Sequence, residues 1–258
     1  MPFIPLHDAN PLRHIRYAWV AWSLIAANCA IFLATSGTGG LQGAAIRFGL
    51  IPGVLNGDFV LPASYQTIPD ALTLLTYSFL HGSFWHLAGN MVFLWVFADN
   101  IEDSLGHVRF AIFYVLSAIG AGYVYVLADP GSDIPVIGAS GAVAGVVGAY
   151  FVLHPNAKVW ILAFGRIPLR FASIWIIGFW AGFQVFEAVT SIDDQIAWWA
   201  HIGGFLTGAL LVVLLRRRGV SLFDRTPLVL TATTQRVDEA ATDRIGSAAP
   251  PRSEGPSG

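Results

Sequence analysis

The chain contains six apolar runs, each close to the length of a membrane-spanning helix, and they argue against a soluble globular fold. A helix needs roughly 20 apolar residues to cross a bilayer. Hydrophobic residues make up 55% of the chain and charged residues only 12%, whereas soluble domains are about 25% charged. The pattern predicts an all-α membrane protein with six spans and a short, central fourth helix. The spans run over about 17–35, 84–101 (or from near residue 72), 110–128, 140–153, 172–189 and 198–215.

Cationic side chains gather on one side of this predicted bundle. With six spans the two termini share a side, and the opposite side carries only Arg47. Because cytoplasmic loops are enriched in Lys and Arg, we expect a multi-pass protein of the plasma membrane with both termini cytoplasmic. The membrane topology explains where the Lys and Arg residues lie, so they do not indicate a nucleic-acid site and we expect no nucleic-acid partner. The cations on the side of the termini are Arg13, Arg16, Arg109, Lys158, Arg166, Arg170, Arg216, Arg217 and Arg218.

Composition divides the chain into three parts. Residues 1–16 form a polar cytoplasmic N-terminal segment, and residues 17–216 form the six-helix domain. Residues 217–258 combine Pro, Ser, Thr and mixed charge without periodicity, which predicts a disordered cytoplasmic tail. The long first outer loop, 37–71, mixes Gly, Pro and apolar residues. We expect it to be structured and partly interfacial.

Polar side chains within the predicted spans are candidates for function, since they are expensive in hydrocarbon. His86 and Asn90 are one helical turn apart and share a face. Ser140 begins the fourth helix, and His201 lies near the start of the sixth. A lone serine in such a helix most often bonds its own backbone, so the combination carries the argument. The histidines lack a His-Glu-x-x-His pattern and Cys29 is isolated, so we expect no metal or cofactor.

Paired glycines predict how the fourth and sixth helices meet. Gly141 and Gly145 follow Ser140, and Gly204 and Gly208 follow His201. Such pairs let helix backbones approach closely, although they also occur where membrane helices merely pack. Each pair forms a glycine stripe along its helix. If the two glycine stripes pack against each other, the His201 imidazole comes within reach of the Ser140 hydroxyl.

A serine and a histidine in contact are the minimum for nucleophilic acyl transfer. No acidic residue is placed to orient His201, so the residues suggest a dyad. Asn90, His86 and the Ser140 amide are the candidate donors for the oxyanion.

Three motifs, in order on the second, fourth and sixth predicted helices, resemble those of the rhomboid intramembrane serine proteases of bacterial type. The resemblance covers roughly residues 10–216, and Glu102-x3-Gly106 fits it as well. It implies cleavage of transmembrane segments of other proteins within the lipid bilayer. The motifs are His81-x4-His86-x3-Asn90, Gly138-Ala139-Ser140-Gly141 and Ala200-His201-Ile202-Gly203-Gly204.

The resemblance assigns roles by position. Ser140 would be the nucleophile and His201 the base, while His86, Asn90 and the Ser140 amide would form the oxyanion hole. The site would be supported structurally by His81, Gly138, Gly141 and Gly204.

The chain departs from the family at two points. Members often carry an aromatic residue that stacks on the histidine, where this chain has Ala144. We therefore expect an aromatic of the fifth or sixth helix to orient His201. The Trp-Arg motif of the first outer loop is also missing.

Two other functions stay open beside the protease. One is a catalytically silent relative that binds transmembrane clients, although silent relatives generally lack the serine or the histidine. The other is a small transporter, which the lack of repeat-related halves disfavours. The sequence leaves the oligomeric state open.

Overall fold

The computed structural model describes residues 3–37, 40–190 and 196–224, all within one compact unit of the chain. Helices dominate it, as the sequence predicts. The elements in chain order are β1 Phe3–Asp8, α1 Trp19–Thr35, α2 Gly40–Phe48, α3 Pro52–Leu55, α4 Thr73–Thr76, α5 Phe84–Leu105, α6 His107–Ala128, α7 Ser140–Leu153, β2 Lys158–Ala163, β3 Ile167–Ala172, α8 Ser173–Thr190 and α9 Trp198–Leu215.

Three of these helices are long and apolar enough to cross a membrane, namely α6, α8 and α9. The helices α1 and α7 are also apolar but shorter. Helix α5 has 22 residues and carries polar side chains along its length. It begins at Phe84, so the alternative start near residue 72 is wrong. Residues 70–79 form separate short helical turns instead. The count of six spans stays a prediction.

Helix α7 lies at the centre of the bundle, and every residue from Gly141 to Tyr150 is buried. A helix that is apolar all round is suited to such a position. Its small residues allow α6 and α9 to come close. A Cβ on Gly145 would lie 2.6 Å from the Ser117 side chain of α6, and one on Gly208 would overlap the Gly145 carbonyl.

The bundle also carries a three-stranded antiparallel sheet in the order β1-β2-β3, which corrects the all-α prediction to a mostly helical fold. β1 pairs with β2 in a register that places Phe3 opposite Ala163, and β2 and β3 form a hairpin. Residues 1–16 were predicted only as a polar segment. Their strand was missed because its partner lies more than 150 residues away, where local periodicity gives no signal.

The C-terminal end of α5 holds the segment that leads into α1. The Glu102 carboxylate accepts hydrogen bonds from the backbone N–H groups of Val20 and Ala21, at 3.0 and 2.8 Å. These groups belong to the first turn of α1, where the helix itself supplies no acceptor. The Asp103 carboxylate accepts from the N–H groups of residues 13–15. Two neighbouring carboxylates therefore fix the entry into the bundle.

A second polar cluster anchors β1 to the helices. The Tyr150 hydroxyl donates to the Asp8 carboxylate at 2.6 Å, and the Asn100 amide donates to it at 2.8 Å. The Asn10 amide continues this network by donating to Asn100 Oδ1 at 2.6 Å. Asp8 is only 6% exposed.

The predicted outer loop contains α2 and α3, and a backbone bridge ties it to the chain that precedes α7. Leu50 and Val136 each donate their N–H to the other's carbonyl, at 3.0 and 2.8 Å. After α9, the Arg217 N–H donates to the Ser104 carbonyl and the Phe223 N–H donates to the Val152 carbonyl, both at 2.9 Å. The contacts of the bundle therefore extend past residue 216 into the predicted tail. Residues 225–258 of that tail lie outside the described residues.

Candidate active site

The Ser140 hydroxyl and the His201 imidazole lie in hydrogen-bond contact. Oγ of Ser140 is 2.8 Å from Nε2 of His201. Ser140 is the first residue of α7, and His201 lies in the first turn of α9. The serine is half-buried, whereas the histidine is only 7% exposed. The predicted pair therefore forms, with the serine on the accessible side.

Glycines on both helices make this contact possible. A Cβ on Gly204 would overlap the carbonyl group of Gly141. A Cβ on Gly141 would lie 2.6 Å from the Ala121 side chain and 3.0 Å from the Tyr77 hydroxyl. The two glycine stripes therefore meet as predicted, and close helix approach of this kind needs small residues.

Gly138 shapes the turn that precedes the serine. Its φ of +135° lies in a region that L side chains rarely adopt, and its N–H donates to the Tyr77 carbonyl at 2.9 Å. The space that a Cβ would fill here lies 2.7 Å from His86 Nε2 and 3.6 Å from Ser140 Oγ. A side chain at Gly138 would therefore crowd the His86 imidazole next to the Ser140 hydroxyl.

The predicted donors His86 and Asn90 lie on α5, and the supporting residue His81 lies just before it. The Ser83 hydroxyl accepts from the His86 N–H at 3.1 Å and caps the helix. Asn90 is buried one turn further on, and its amide donates to the His86 carbonyl at 3.2 Å. His81 is fully buried, and its ring meets the His86 ring edge-on at 5.1 Å between centroids.

Aromatic side chains enclose His201 in spite of Ala144. The Trp180 ring of α8 lies nearly parallel to the imidazole, at 29° and 6.5 Å between centroids. The Trp198 ring of α9 meets it edge-on at 5.9 Å. The expectation of an aromatic from the fifth or sixth helix is therefore met by both helices.

The second nitrogen of His201 also has a partner. The Gln184 amide lies 3.0 Å from His201 Nδ1, and Gln184 is only 2% exposed. The sequence showed an amide within an apolar helix but gave no role for it. The available signal was its spacing of four residues from Trp180, which places both on one face of α8.

These groups have the arrangement that acyl transfer requires. An imidazole in contact with a hydroxyl can take its proton during attack on a carbonyl. The N-terminus of α7 presents backbone N–H groups, which favour negative charge. Within the described ranges, no three His, Cys, Asp or Glu side chains are grouped so that they could hold a metal ion.

Comparison with protein families matches residues 69–218 to the Rhomboid domain. The chain is 31% identical over 153 residues to "Rhomboid protein 1, mitochondrial" of Saccharomyces cerevisiae, which covers 55% of this chain and 41% of that protein. It is 33% identical over 147 residues to "RHOMBOID-like protein 5" of Arabidopsis thaliana, covering 55% and 44%.

A longer match is to "Presenilin-associated rhomboid-like protein, mitochondrial" of Mus musculus. The identity is 30% over 222 residues, which covers 79% of this chain and 52% of that protein. The chain thus spans about half the length of the curated relatives it matches.

Proposed function

Since this chain belongs to the rhomboid family, we propose that it is an intramembrane serine endopeptidase that cleaves transmembrane segments of other membrane proteins. The observation that carries the proposal is the contact of 2.8 Å between Ser140 Oγ and His201 Nε2. A silent relative would have no need of this pair. The chain keeps both residues of the pair, and its sequence also keeps His86 and Asn90.

In the first half of the reaction, His201 Nε2 takes the hydroxyl proton as Ser140 Oγ attacks the scissile carbonyl. The carbonyl oxygen becomes an oxyanion, which the Ser140 amide and the side chains of His86 and Asn90 stabilise. His201 then gives its proton to the leaving amine as the C–N bond breaks. The products of this half are the free amine fragment and an ester on Ser140.

In the second half, water attacks that ester while His201 accepts one of its protons. The C–O bond to Ser140 breaks, and the proton returns to Oγ. This step needs water at a site inside a membrane protein. The partial exposure of Ser140 at the very start of α7 supports such access.

The substrate would reach the site from the bilayer. Helix α8 packs Trp180 and Gln184 inward, while Trp175 and Phe179 are 74% and 61% exposed. An apolar outer face of this kind suits contact with lipid or with a substrate helix. We propose that substrates enter beside α8.

We further propose a six-span topology of bacterial type in the plasma membrane, built from α1, α5, α6, α7, α8 and α9. The concentration of Lys and Arg on one side of the loops supports cytoplasmic segments before α1 and after α9. Tags placed at the two ends should be protected from external protease in intact cells. Cleavage of either tag from outside would contradict this orientation.

The function is tested by reconstituting the protein in liposomes with a panel of single-span substrates. Wild type should cleave at least one of them, whereas Ser140→Ala and His201→Ala should cleave none while remaining folded. Equal cleavage by Ser140→Ala would refute the assignment. If the wild type binds substrates and cuts none, the silent alternative is favoured.

A further inference from the structure

The contact between Ser140 and His201 determines which imidazole nitrogen carries a proton. If Oγ–H donates to Nε2, that nitrogen has no proton, and a neutral ring carries its proton on Nδ1. Nδ1 faces the buried Gln184 amide at 3.0 Å. Among the described residues this amide is the one hydrogen-bond partner found at Nδ1. The productive state of the pair therefore needs an acceptor at this position.

An amide can supply that acceptor. The Gln184 side chain ends in a carbonyl oxygen and an NH₂ group, which exchange places when the amide turns by half a rotation. Nε2 is the Gln184 atom found at 3.0 Å. With the amide turned, Gln184 Oε1 occupies the same place and accepts the hydrogen bond from His201 Nδ1–H. If Gln184 Nε2 stayed there, two N–H donors would face each other.

We propose that Gln184 is a positioning residue that accepts a hydrogen bond from His201 Nδ1–H and thereby holds the tautomer able to take the Ser140 proton. The proposal rests on the proposed function, which it deepens. It changes the dyad of the sequence analysis into a chain of three residues from α7, α9 and α8.

A neutral acceptor fits this location better than a carboxylate. In soluble serine proteases an aspartate receives Nδ1–H and stabilises the imidazolium. Here the partner is 2% exposed within an apolar helix, where a charge would be expensive. The amide provides the hydrogen bond without that charge.

Two aromatic rings flank the His201 imidazole. Trp180 covers one face of the imidazole and Trp198 meets it edge-on. Trp180 and Gln184 lie four residues apart, so one face of α8 supplies both the covering ring and the acceptor.

Gln184→Met tests the acceptor, because it keeps the length of the side chain and removes the amide. Replacing the aspartate of a serine protease triad by asparagine lowers kcat about 10⁴-fold by favouring the wrong tautomer. We expect a smaller loss for a neutral partner, on the order of 10²-fold in kcat with KM nearly unchanged. The rate of labelling by a fluorophosphonate should fall by a similar factor.

Gln184→Glu provides the rescue, since the carbonyl oxygen of a buried, protonated carboxyl group also accepts from Nδ1–H, and it should recover most of the kcat lost in Gln184→Met. Val185→Ala is the matched control, because Val185 is the next residue of α8 and is 51% exposed. Wild-type kcat in Gln184→Met would overturn the proposal. So would folded Gln184→Met and Gln184→Glu proteins with the same reduced kcat.

A readout that does not depend on activity separates this proposal from the proposed function. In protein labelled with ¹⁵N-histidine, His201 should show a protonated Nδ1 in wild type and a shift toward protonated Nε2 in Gln184→Met. If wild type cuts no substrate and yet shows this dependence, the protease assignment fails and the positioning role stands. If His201 has the same tautomer in wild type and in Gln184→Met, the positioning role is overturned.

Discussion

Gly204 of α9 packs so tightly against the carbonyl group of Gly141 of α7 that a Cβ on Gly204 would overlap it. The same relationship recurs about one turn along, where Gly208 packs against the carbonyl of Gly145. These contacts set the separation of the two helices. Ser140 and His201 lie at the end of this seam, so their distance depends on it.

Gly204→Ala should therefore destabilise the protein and weaken the pair, even though alanine is the better residue within an ordinary helix by about 1 kcal/mol. Thermal unfolding in detergent should occur at lower temperature, and fluorophosphonate labelling should fall by at least about tenfold. Gly182→Ala is the matched control, since nothing lies within 4 Å of a Cβ at Gly182 on α8. Identical behaviour of the two variants would contradict the packing argument.

Trp180→Ala should reduce turnover more than it reduces stability, because the indole covers one face of the His201 ring. An uncovered ring can sample other rotamers, which we expect to lower kcat about tenfold. Trp95→Ala makes the same replacement on α5, where the indole is 64% exposed, and it should leave kcat unchanged. Steady-state cleavage by both variants checks this, and an equal effect would argue against a role for the stacked ring.

Asn90→Ala should lower kcat by about 10²–10³-fold, the usual loss when one oxyanion donor is removed. KM should change little, because the interaction forms as charge develops on the carbonyl oxygen. Expression and the unfolding temperature report on the lost hydrogen bond to the His86 carbonyl. A variant with wild-type kcat would remove Asn90 from the oxyanion hole.

Asp8 should make the stability of the folded protein depend on pH. Burial, together with the nearby Asp99 charge, raises the pKa of Asp8 from 3.8 to about 7. Between these pH values the folded chain keeps a proton on Asp8 that the unfolded chain has lost. The contribution of Asp8 to the free energy of unfolding is therefore fully present below about pH 4 and is lost as the pH rises through 7. At 1.36 kcal/mol per unit, the loss approaches about 4 kcal/mol.

The unfolding temperature of wild type should therefore fall between pH 5 and pH 8. Asp8→Asn keeps an acceptor for the Tyr150 hydroxyl and removes the titration, so its profile should be flatter over the same range. Parallel profiles for the two proteins would show that Asp8 does not titrate in this window.

The sequence predicted the helices of the site well, since α7 and α9 begin and end where the apolar runs do. The pairing of Ser140 with His201 also followed from the motifs and the glycine spacing. Gln184 could not be assigned, because its contact with His201 depends on how α8 is rotated against α9. The strand at Phe3–Asp8 was missed because its partner is distant in the chain.

Labelling by a fluorophosphonate tests the central claim most directly, since only a serine activated by a base reacts with it quickly. Wild-type protein in detergent should be labelled on Ser140, whereas Ser140→Ala and His201→Ala should not. Failure of the wild type to label, or equal labelling of Ser140→Ala, would contradict the assignment of Ser140 as the nucleophile.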